Sequence, residues 1–200
     1  MRDRIISTFR RSDYLPDVSA MGSTWSSPPP DSVYGDLMSA AVLVPLVDHA
    51  AGMSVLLTQR TETLSDHRGQ IAFPGGRKEA IDQSPEDTAL RETEEEVGIN
   101  KRNIQLVGRL SALETRTGYH VMPVIGLVNP PLTLTPEPSE VAHIFEVPLD
   151  FVLNPDNHRV EPYKDDMSGR KYRAMPYGEH YIWGLTARVL FELADVLRKS

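Results

Sequence analysis

Four glutamates crowd one short stretch of the chain and could together hold a divalent metal ion. They are Glu92, Glu94, Glu95 and Glu96, and the residues at 92, 95 and 96 recur at helical spacing. On a helix those three share one face, where like charges cost about 0.2–0.5 kcal/mol per pair. Carboxylate oxygens are the ligands that Mg²⁺ and Mn²⁺ prefer. The spacing therefore fits either a hard-metal site or a solvated acidic helix face.

Local signals around this stretch predict the helix that such a face requires. Ser84 is a favourable N-cap, Pro85 suits the first helical position, and Asp87 stands where a capping box wants an acid. Gly98 stands where helices commonly end, so the predicted helix covers about 85–97. The residues expected to pack on its other face are Ala89, Leu90, Thr93 and Val97.

Arg91 and Glu94 lie in the same stretch but are not predicted to bind the metal. Arg91 lies one turn before Glu95 and can pair with it, so it is expected to orient carboxylates rather than to contact a substrate. Glu94 points away from the shared face of a regular helix and is expected to face solvent. Residues 73–76, Phe-Pro-Gly-Gly, predict a tight turn that Phe73 fixes by packing.

The composition limits the class of function. The chain has 200 residues, of which 40% are hydrophobic and 24% charged, with a formal net charge of −7. The acidic balance argues against nucleic acid as a partner. The chain has no cysteine, which rules out disulfides and thiolate zinc sites. No apolar run approaches the ~20 residues of a membrane span, so we expect a cytoplasmic protein that acts on a small molecule and not on a membrane.

Hydrophobic patterning predicts alternating strands and helices in one domain. Helices are predicted at 3–10, 85–97, 149–153 and from Gly184 onward. Strands are predicted at 39–47, 53–58, 69–73, 104–113, 119–128 and 141–147, with a hairpin of 158–161 and 170–175 around 165–169. Pro123 predicts that the strand 119–128 is irregular or lies at an edge. This order favours a mixed sheet covered by helices on both faces.

The first part of the chain differs in composition from the rest. Residues 15–35 are rich in Pro, Ser, Gly and Asp, with three consecutive prolines at 28–30, which is typical of an extended linker. We therefore predict an N-terminal extension or linker over 1–35 and a catalytic domain over 36–200.

The stretch from Gly76 to Ile99 resembles the Nudix box. Residues 91–99 read R-E-T-E-E-E-V-G-I and match its R-E-U-x-E-E-x-G-U core. The spacing from Gly76 to Arg91 is one residue longer than usual, and Asp82 or Gln83 stands where the box has Glu. The longer loop is typical of the coenzyme A pyrophosphatase branch.

Sequence outside the box resembles the same branch. Leu-Leu-Thr-Gln-Arg at 56–60, Gly69 and the Phe-Pro-Gly-Gly at 73–76 are similar to its upstream motif, with Thr61 and Ser65 departing from it. Three later stretches, at 117–124, 140–149 and 183–187, are also similar to the branch. The resemblance covers about 40–197 and implies a Nudix-type α/β/α sandwich with a mixed β-sheet.

The resemblance implies a Mg²⁺- or Mn²⁺-dependent diphosphatase. It makes Glu92, Glu95 and Glu96, with the Gly76 carbonyl, the expected metal ligands. Members of the superfamily take a general base from a box glutamate or from a later loop. The catalytic candidates are therefore Glu92, Glu95 and Glu140, with Glu137 as the second loop candidate.

The implied substrate is coenzyme A or an acyl derivative, cleaved at its diphosphate. Arg60 follows a predicted strand where a phosphate-facing cation would be useful. Arg60, Arg68 and Gly75 are the substrate-binding candidates, and His67, Arg116 and His120 are further cations to consider. Tyr119 and Trp183 fit either adenine stacking or the core. The alternatives are a broader nucleoside-diphosphate hydrolase and a non-catalytic nucleotide-binding module. A homodimer is a further expectation.

Overall fold

A mixed β-sheet forms the centre of the molecule. The computed structural model describes residues 1–11, 36–62, 68–163 and 169–199, and within them eight strands join in one sheet and three in a second. The strands are β1 (Met38–His49), β2 (Gly52–Arg60), β3 (Ile71–Ala72), β4 (Gly75–Arg77), β5 (Ile104–Arg109), β6 (Leu113–Glu114), β7 (Tyr119–Val128), β8 (Val141–Pro148), β9 (Arg159–Pro162), β10 (Lys171–Tyr177) and β11 (His180–Trp183). The α-helices are α1 (Arg2–Arg11), α2 (Pro85–Val97), α3 (Leu149–Leu153) and α4 (Gly184–Arg198).

The large sheet has the order β3-β2-β1-β7-β5, with β4 paired to β1, β6 to β7 and β8 to β2. The long central strands β1 and β7 run parallel, from Met38 beside Tyr119 to Val47 beside Val128. The other pairings in this sheet are antiparallel, so the sheet is mixed, as predicted. Strands β9, β10 and β11 form the smaller antiparallel sheet.

Both faces of β1 are buried, and its residues alternate between two cores. Ala41 and Leu43 pack with Ala89 of α2 on one side. Val44 and Leu46 pack on the other side, in the larger core that includes residues of α1, α3, α4 and the small sheet. This alternation follows from the period of two along a strand. The architecture is the α/β/α sandwich with a mixed sheet that the sequence predicts.

The position of β7 corrects one prediction. Pro123 does not place the strand at an edge, because β7 lies between β1 and β5. Proline lacks the N–H that a ladder needs, and the neighbouring strand breaks at this level. Leu110 N still donates to Pro123 O at 3.0 Å, but the predicted single strand 104–113 divides into β5 and β6. The strand 119–128 is itself continuous, so the prediction of an irregular or edge strand is wrong, and the break lies in the neighbouring strand.

The glycine segment is also more regular than predicted. Gly75 and Gly76 do not form a tight turn but belong to β4, paired with Val42 and Ala41 of β1. Phe73 is buried in the larger core, as expected of a packing residue. Strand β11, which the sequence reading missed, lies between the predicted hairpin and α4.

The N-terminal helix packs against the domain. Ile5 and Phe9 of α1 are fully buried in the larger core, although the prediction placed them in an extension. Several predictions fall outside the described residues. They concern the linker 15–35, the candidate His67, Ser65, which departs from the upstream motif, and most of the hairpin turn 165–169. Within the described ranges, every helix is too short or too polar to cross a membrane.

Candidate active site

Helix α2 has the ends that the sequence predicts. The Ser84 side chain accepts a hydrogen bond from Asp87 N at 3.2 Å, and the Asp87 carboxylate accepts one from Ser84 N at 3.0 Å, which completes a capping box. Gly98 ends the helix in the left-handed conformation, with φ 77°. These caps fix where the helix begins and ends, while burial of Ala89, Thr93 and Val97 against the domain sets the side on which each glutamate lies.

Two of the four glutamates face inward, towards β4. An ideal Cβ added to Gly76 would lie within 2.6 Å of the Glu92 carboxylate atoms, so a larger residue there would force that carboxylate to move. Gly75 N donates to Glu96 Oε2 at 3.3 Å. Gly75 itself has φ 155°, and a Cβ there would clash with the Ala41 carbonyl. The two glycines thus allow the β4 backbone to lie against the acidic face of α2.

Arg91 connects several carboxylates. Its Nη1 donates to Glu92 Oε1 at 2.9 Å and to Glu95 Oε2 at 3.0 Å. Its Nε and Nη2 donate to the two oxygens of Asp82 at 3.1 and 2.9 Å. The predicted orienting role of Arg91 and its pairing with Glu95 are therefore present. Glu94, on the outer side, is exposed and accepts from Asn100 Nδ2, as the helix geometry predicts.

Asp82 holds Arg91 in place, since both of its carboxylate oxygens accept hydrogen bonds from the guanidinium group. It is buried, and it also accepts hydrogen bonds from Thr88 Oγ1 at 2.7 Å and from Glu79 N at 2.8 Å. Burial opposes ionisation of Asp82, but the hydrogen bonds from Arg91, Glu79 and Thr88 outweigh it and lower its pKa to about 2. The position that differs from the usual box thus anchors the arginine that orients the glutamates.

The inward glutamates have perturbed acid–base properties. Burial, followed by the charges of Glu92 and Glu140, raises the pKa of Glu96 to about 8, against the hydrogen bond from Gly75 and the charge of Arg60. Burial also raises the pKa of Glu92, aided by the charges of Glu95 and Glu140. Carboxylates that share a dry site in this way are typical of functional centres.

The loop before β8 brings Glu140 to the same place. Glu137 N donates to Glu96 O at 2.9 Å, and Thr61 N, next to Arg60, donates to Glu140 O at 3.0 Å, so this loop lies against the end of α2 and the end of β2. The charge of Glu140 contributes to the raised pKa of both Glu92 and Glu96. Glu137, the second loop candidate, is instead occupied locally, because its Oε1 accepts from Ser139 Oγ at 2.8 Å and from Ser139 N. Those hydrogen bonds lower the pKa of Glu137, which makes its carboxylate a weaker proton acceptor.

Arg60 is the cation nearest to the acidic pair among the predicted substrate-binding residues. Its Nη1 lies 4.0 Å from Glu96 Oε1, and its buried Nε has no hydrogen-bond partner among the described residues. Arg68 is exposed in the connection between β2 and β3. Glu95 is also largely exposed, with 59% of its side chain accessible. The structure therefore brings together Glu92, Glu96, Arg60 and the two glycines, whereas Glu95 and Arg68 are exposed.

The donor set fits a hard divalent ion. Glu92 and Glu96 supply carboxylate oxygens, and the β4 glycines allow an ion to come close to backbone carbonyls. A bound cation would favour the ionised form of both carboxyl groups and so lower their raised pKa values. Among the described residues, no three acidic, His or Cys side chains converge on one metal-binding point. Arg91 draws Glu92 and Glu95 towards itself, so ion binding requires at least one of them to turn.

Sequence reasoning missed a buried ion pair that supports the helix. Arg109 of β5 donates from Nε to Glu86 Oε1 at 2.6 Å and from Nη2 to Glu86 Oε2 at 2.7 Å. Both residues are at most 9% exposed. The pair joins the first turn of α2 to the sheet, and an acid near the N-terminus also suits the helix dipole. Only the acidic first turn was visible in the sequence, because its partner is 23 residues away.

Comparison with known proteins identifies the family. The profile of the NUDIX domain matches residues 37–180. An uncharacterized Nudix hydrolase, NudL, from Photorhabdus laumondii is 42% identical over 171 residues, which are 84% of this chain and 89% of that protein. The chain therefore belongs to the Nudix family and is a Nudix hydrolase, an enzyme that cleaves diphosphate bonds in nucleoside-diphosphate-linked compounds. Nudix hydrolases generally use divalent metal ions.

Solved structures support the same fold. A MutT protein from Methanosarcina mazei Go1 has a TM-score of 0.55 and 18% identity, covering 84% of this chain and 100% of that one. A C. elegans Ap4A hydrolase, solved as a binary complex, has a TM-score of 0.51 and 18% identity, covering 80% of this chain and 93% of that one. At these identities the likeness concerns the fold alone.

Proposed function

We propose that this enzyme hydrolyses the diphosphate of coenzyme A or acyl-coenzyme A. The products are 4′-phosphopantetheine, or its acyl form, and adenosine 3′,5′-bisphosphate. The observation that carries the catalytic part is the pair Glu92 and Glu96 against Gly75 and Gly76, with the charge of Glu140 acting on both. The substrate assignment rests on the upstream motif at 56–76 and on the one-residue-longer box.

In this proposal Glu92, Glu95, Glu96 and the Gly76 carbonyl hold Mg²⁺ or Mn²⁺. An ion held there would supply Lewis-acid chemistry, polarising the P–O bond and lowering the pKa of a bound water. Arg91 would keep one of Glu92 and Glu95 in position through the hydrogen bonds described above while the other turns towards the ion. Because the Glu96 carboxylate is buried, its attraction for a cation would be stronger than in bulk water.

The remaining residues act on the proton and the phosphates. Glu140 is the proposed general base, which removes a proton from the attacking water; Glu92 and Glu95 are the alternatives within the box. Arg60 is proposed to neutralise a phosphoryl oxygen, which its distance of 4.0 Å from Glu96 supports. Arg68 and the Gly75 backbone are proposed to contact the rest of the substrate.

A direct assay tests the substrate. Purified protein is incubated with coenzyme A and Mn²⁺, and the products are separated and identified by mass. We expect equimolar adenosine 3′,5′-bisphosphate and 4′-phosphopantetheine. A folded enzyme that leaves coenzyme A intact while hydrolysing another diphosphate would refute the substrate and keep the reaction class.

A broader diphosphatase is the second candidate function. Thr61 and Ser65 differ from the motif of the coenzyme A branch, and the name of the similar protein NudL specifies no substrate. A panel of coenzyme A, NADH, a nucleotide sugar and a dinucleoside polyphosphate, compared by kcat/KM, separates the two. A small-molecule substrate is common to both, whereas a homodimer and a cytoplasmic location stay predictions.

A further inference from the structure

The loop that carries Glu140 is fixed to the carboxyl end of α2. Thr135 N donates to Val97 O at 3.0 Å, and Glu137 N donates to Glu96 O at 2.9 Å. The last carbonyls of a helix have no partner within the helix, so these two amides act as its cap. The loop and the helix that holds Glu96 are therefore fixed to each other through the backbone.

A tight turn within this loop then sets the position of Glu140. Glu140 N and Val141 N both donate to Glu137 O, at 3.0 and 2.8 Å. The Glu137 carboxylate closes the turn by accepting from Ser139 Oγ and Ser139 N. Side chains that bind nearby backbone in this way stabilise a single turn conformation.

Thr61 fastens the same turn from the opposite side. It follows β2, whose pairing with β8 shifts register between Gln59 and Arg60. Thr61 N donates to Glu140 O at 3.0 Å, and Thr61 Oγ1 donates to Ser139 O at 3.1 Å. Thr61 is 9% exposed, so this hydroxyl lies in a site with little competing water. Thr61 therefore binds the carbonyl oxygens of the two peptide groups that flank Glu140.

We propose that the Thr61 hydroxyl is a positioning group for Glu140 in the hydrolytic reaction. This inference rests on the proposed role of Glu140 as general base. The turn is held from two sides, by backbone hydrogen bonds to α2 and by Thr61. Of these attachments to the rest of the domain, the bond from the Thr61 hydroxyl is the one made by a side chain, so it can be removed without altering the metal-binding helix. Small displacements of a catalytic group lower the rate steeply, by about 100-fold per 1 Å in unfavourable cases.

A matched pair of variants isolates the hydroxyl. Thr61→Val keeps the shape and removes the donor, whereas Thr61→Ser keeps the donor. We expect Thr61→Val to lower kcat about 10- to 100-fold with little change in KM. Thr61→Ser should restore kcat to near the wild-type value. Thr61→Ala serves as a second donor-free variant in case the valine form does not fold, and thermal unfolding checks all three.

A double-mutant cycle shows whether the effect passes through Glu140. If it does, Thr61→Val combined with Glu140→Gln is no slower than Glu140→Gln alone, because the two changes remove one function. Rates are measured with whichever diphosphate of the panel the wild-type enzyme hydrolyses fastest, so a wrong substrate assignment leaves the test intact. The proposal would be overturned if the rate losses of Thr61→Val and Glu140→Gln multiplied in the double variant. A wild-type rate for Thr61→Val, or a rate for Thr61→Ser as low as that of Thr61→Val, would also overturn it.

Hydrogen exchange gives a readout that does not depend on activity. Loss of the Thr61 hydroxyl should speed amide exchange in the turn 137–141 of the metal-free enzyme, whereas the serine variant should match the wild type. Unchanged exchange in Thr61→Val would show that the hydroxyl does not hold the turn, and would overturn the proposal even if the rate fell.

Discussion

Glu96 is a buried carboxylate whose surroundings favour its protonated form. Its folded-state pKa of about 8 lies above the ordinary 4.5, with burial as the first cause. Between these values the folded protein holds a proton that the unfolded chain has released. Stability of the metal-free protein must therefore fall as pH rises from 4.5 towards 8. Asp82, with a pKa of about 2, loses its stabilising contribution only at much lower pH.

Replacing this carboxylate should remove the pH dependence that it causes. We expect Glu96→Gln to stabilise the metal-free protein at pH 8 by roughly 1–3 kcal/mol, and to have a smaller effect near pH 5. Urea unfolding at several pH values in the presence of a chelator measures this. Glu94→Gln is the matched control, because Glu94 is exposed on the same helix. An equally steep loss of stability in Glu96→Gln would contradict the assignment.

The candidate site was partly predictable at the level of single residues. The spacing of Glu92, Glu95 and Glu96 on one helix face follows from local sequence, and so does the pairing of Arg91 with Glu95. The outward position of Glu95 was not predictable, because it depends on how deeply the helix packs. The role of Asp82 was also missed, since its three partners come together only when the loop folds over α2.

At the scale of elements, α2 is fixed at both of its ends. The buried pair of Glu86 and Arg109 joins the first turn to β5, and backbone amides of the 129–140 loop cap the last turn. Rigid attachment of this kind keeps the glutamates of α2 and the loop-borne Glu140 in a constant relation.

Removing one partner of the buried pair should be costly. Arg109→Met leaves the Glu86 carboxylate buried without its cation, and we expect a loss of about 3–5 kcal/mol in the free energy of unfolding. Arg198→Met is the control, because Arg198 and Asp195 form a more exposed pair on α4 and the expected loss is below about 1 kcal/mol. Similar losses in the free energy of unfolding for the two variants, measured by urea unfolding, would show that the buried pair stabilises the fold no more than the exposed one.

Elements with local signals were the easier ones to predict. Helix α2 matched its expected bounds because its N-cap, Pro85 and Gly98 are all neighbours in sequence. The division of 104–113 into β5 and β6 depends on Pro123 in the adjacent strand, and the short strand β4 depends on pairing with β1. Such pairings join residues far apart in the chain, so local propensity does not reveal them.

At the scale of the whole molecule, α1 is part of the domain's core. Ile5 and Phe9 are fully buried, and Arg2 donates hydrogen bonds to Asp48, Asn129 and Gln105. The amphipathic pattern of 3–10 predicted the helix but not where its apolar side packs. An amphipathic helix at the start of a chain fits several environments equally well, and only the assembled sheet supplies the surface that this one covers.

Truncation of the buried ring in α1 tests this assignment. We expect Phe9→Ala to lower the free energy of unfolding by about 3–5 kcal/mol, because it leaves a cavity in the larger core. Arg10→Ala, at an exposed position of the same helix, should change it by less than about 0.5 kcal/mol. Equal, small effects in urea unfolding would mean that α1 does not pack on the domain in solution.

A manganese titration tests the account as a whole most directly. Free Mn²⁺ is followed by electron paramagnetic resonance as it is added to folded wild-type protein, Glu94→Gln and Glu96→Gln. Since the inward carboxylates of α2 are the proposed ligands, saturable binding is expected in the first two and at least about tenfold weaker binding in the third. Absence of binding to the wild type, or equal affinity in Glu96→Gln, would contradict the proposal that this helix face holds the catalytic metal.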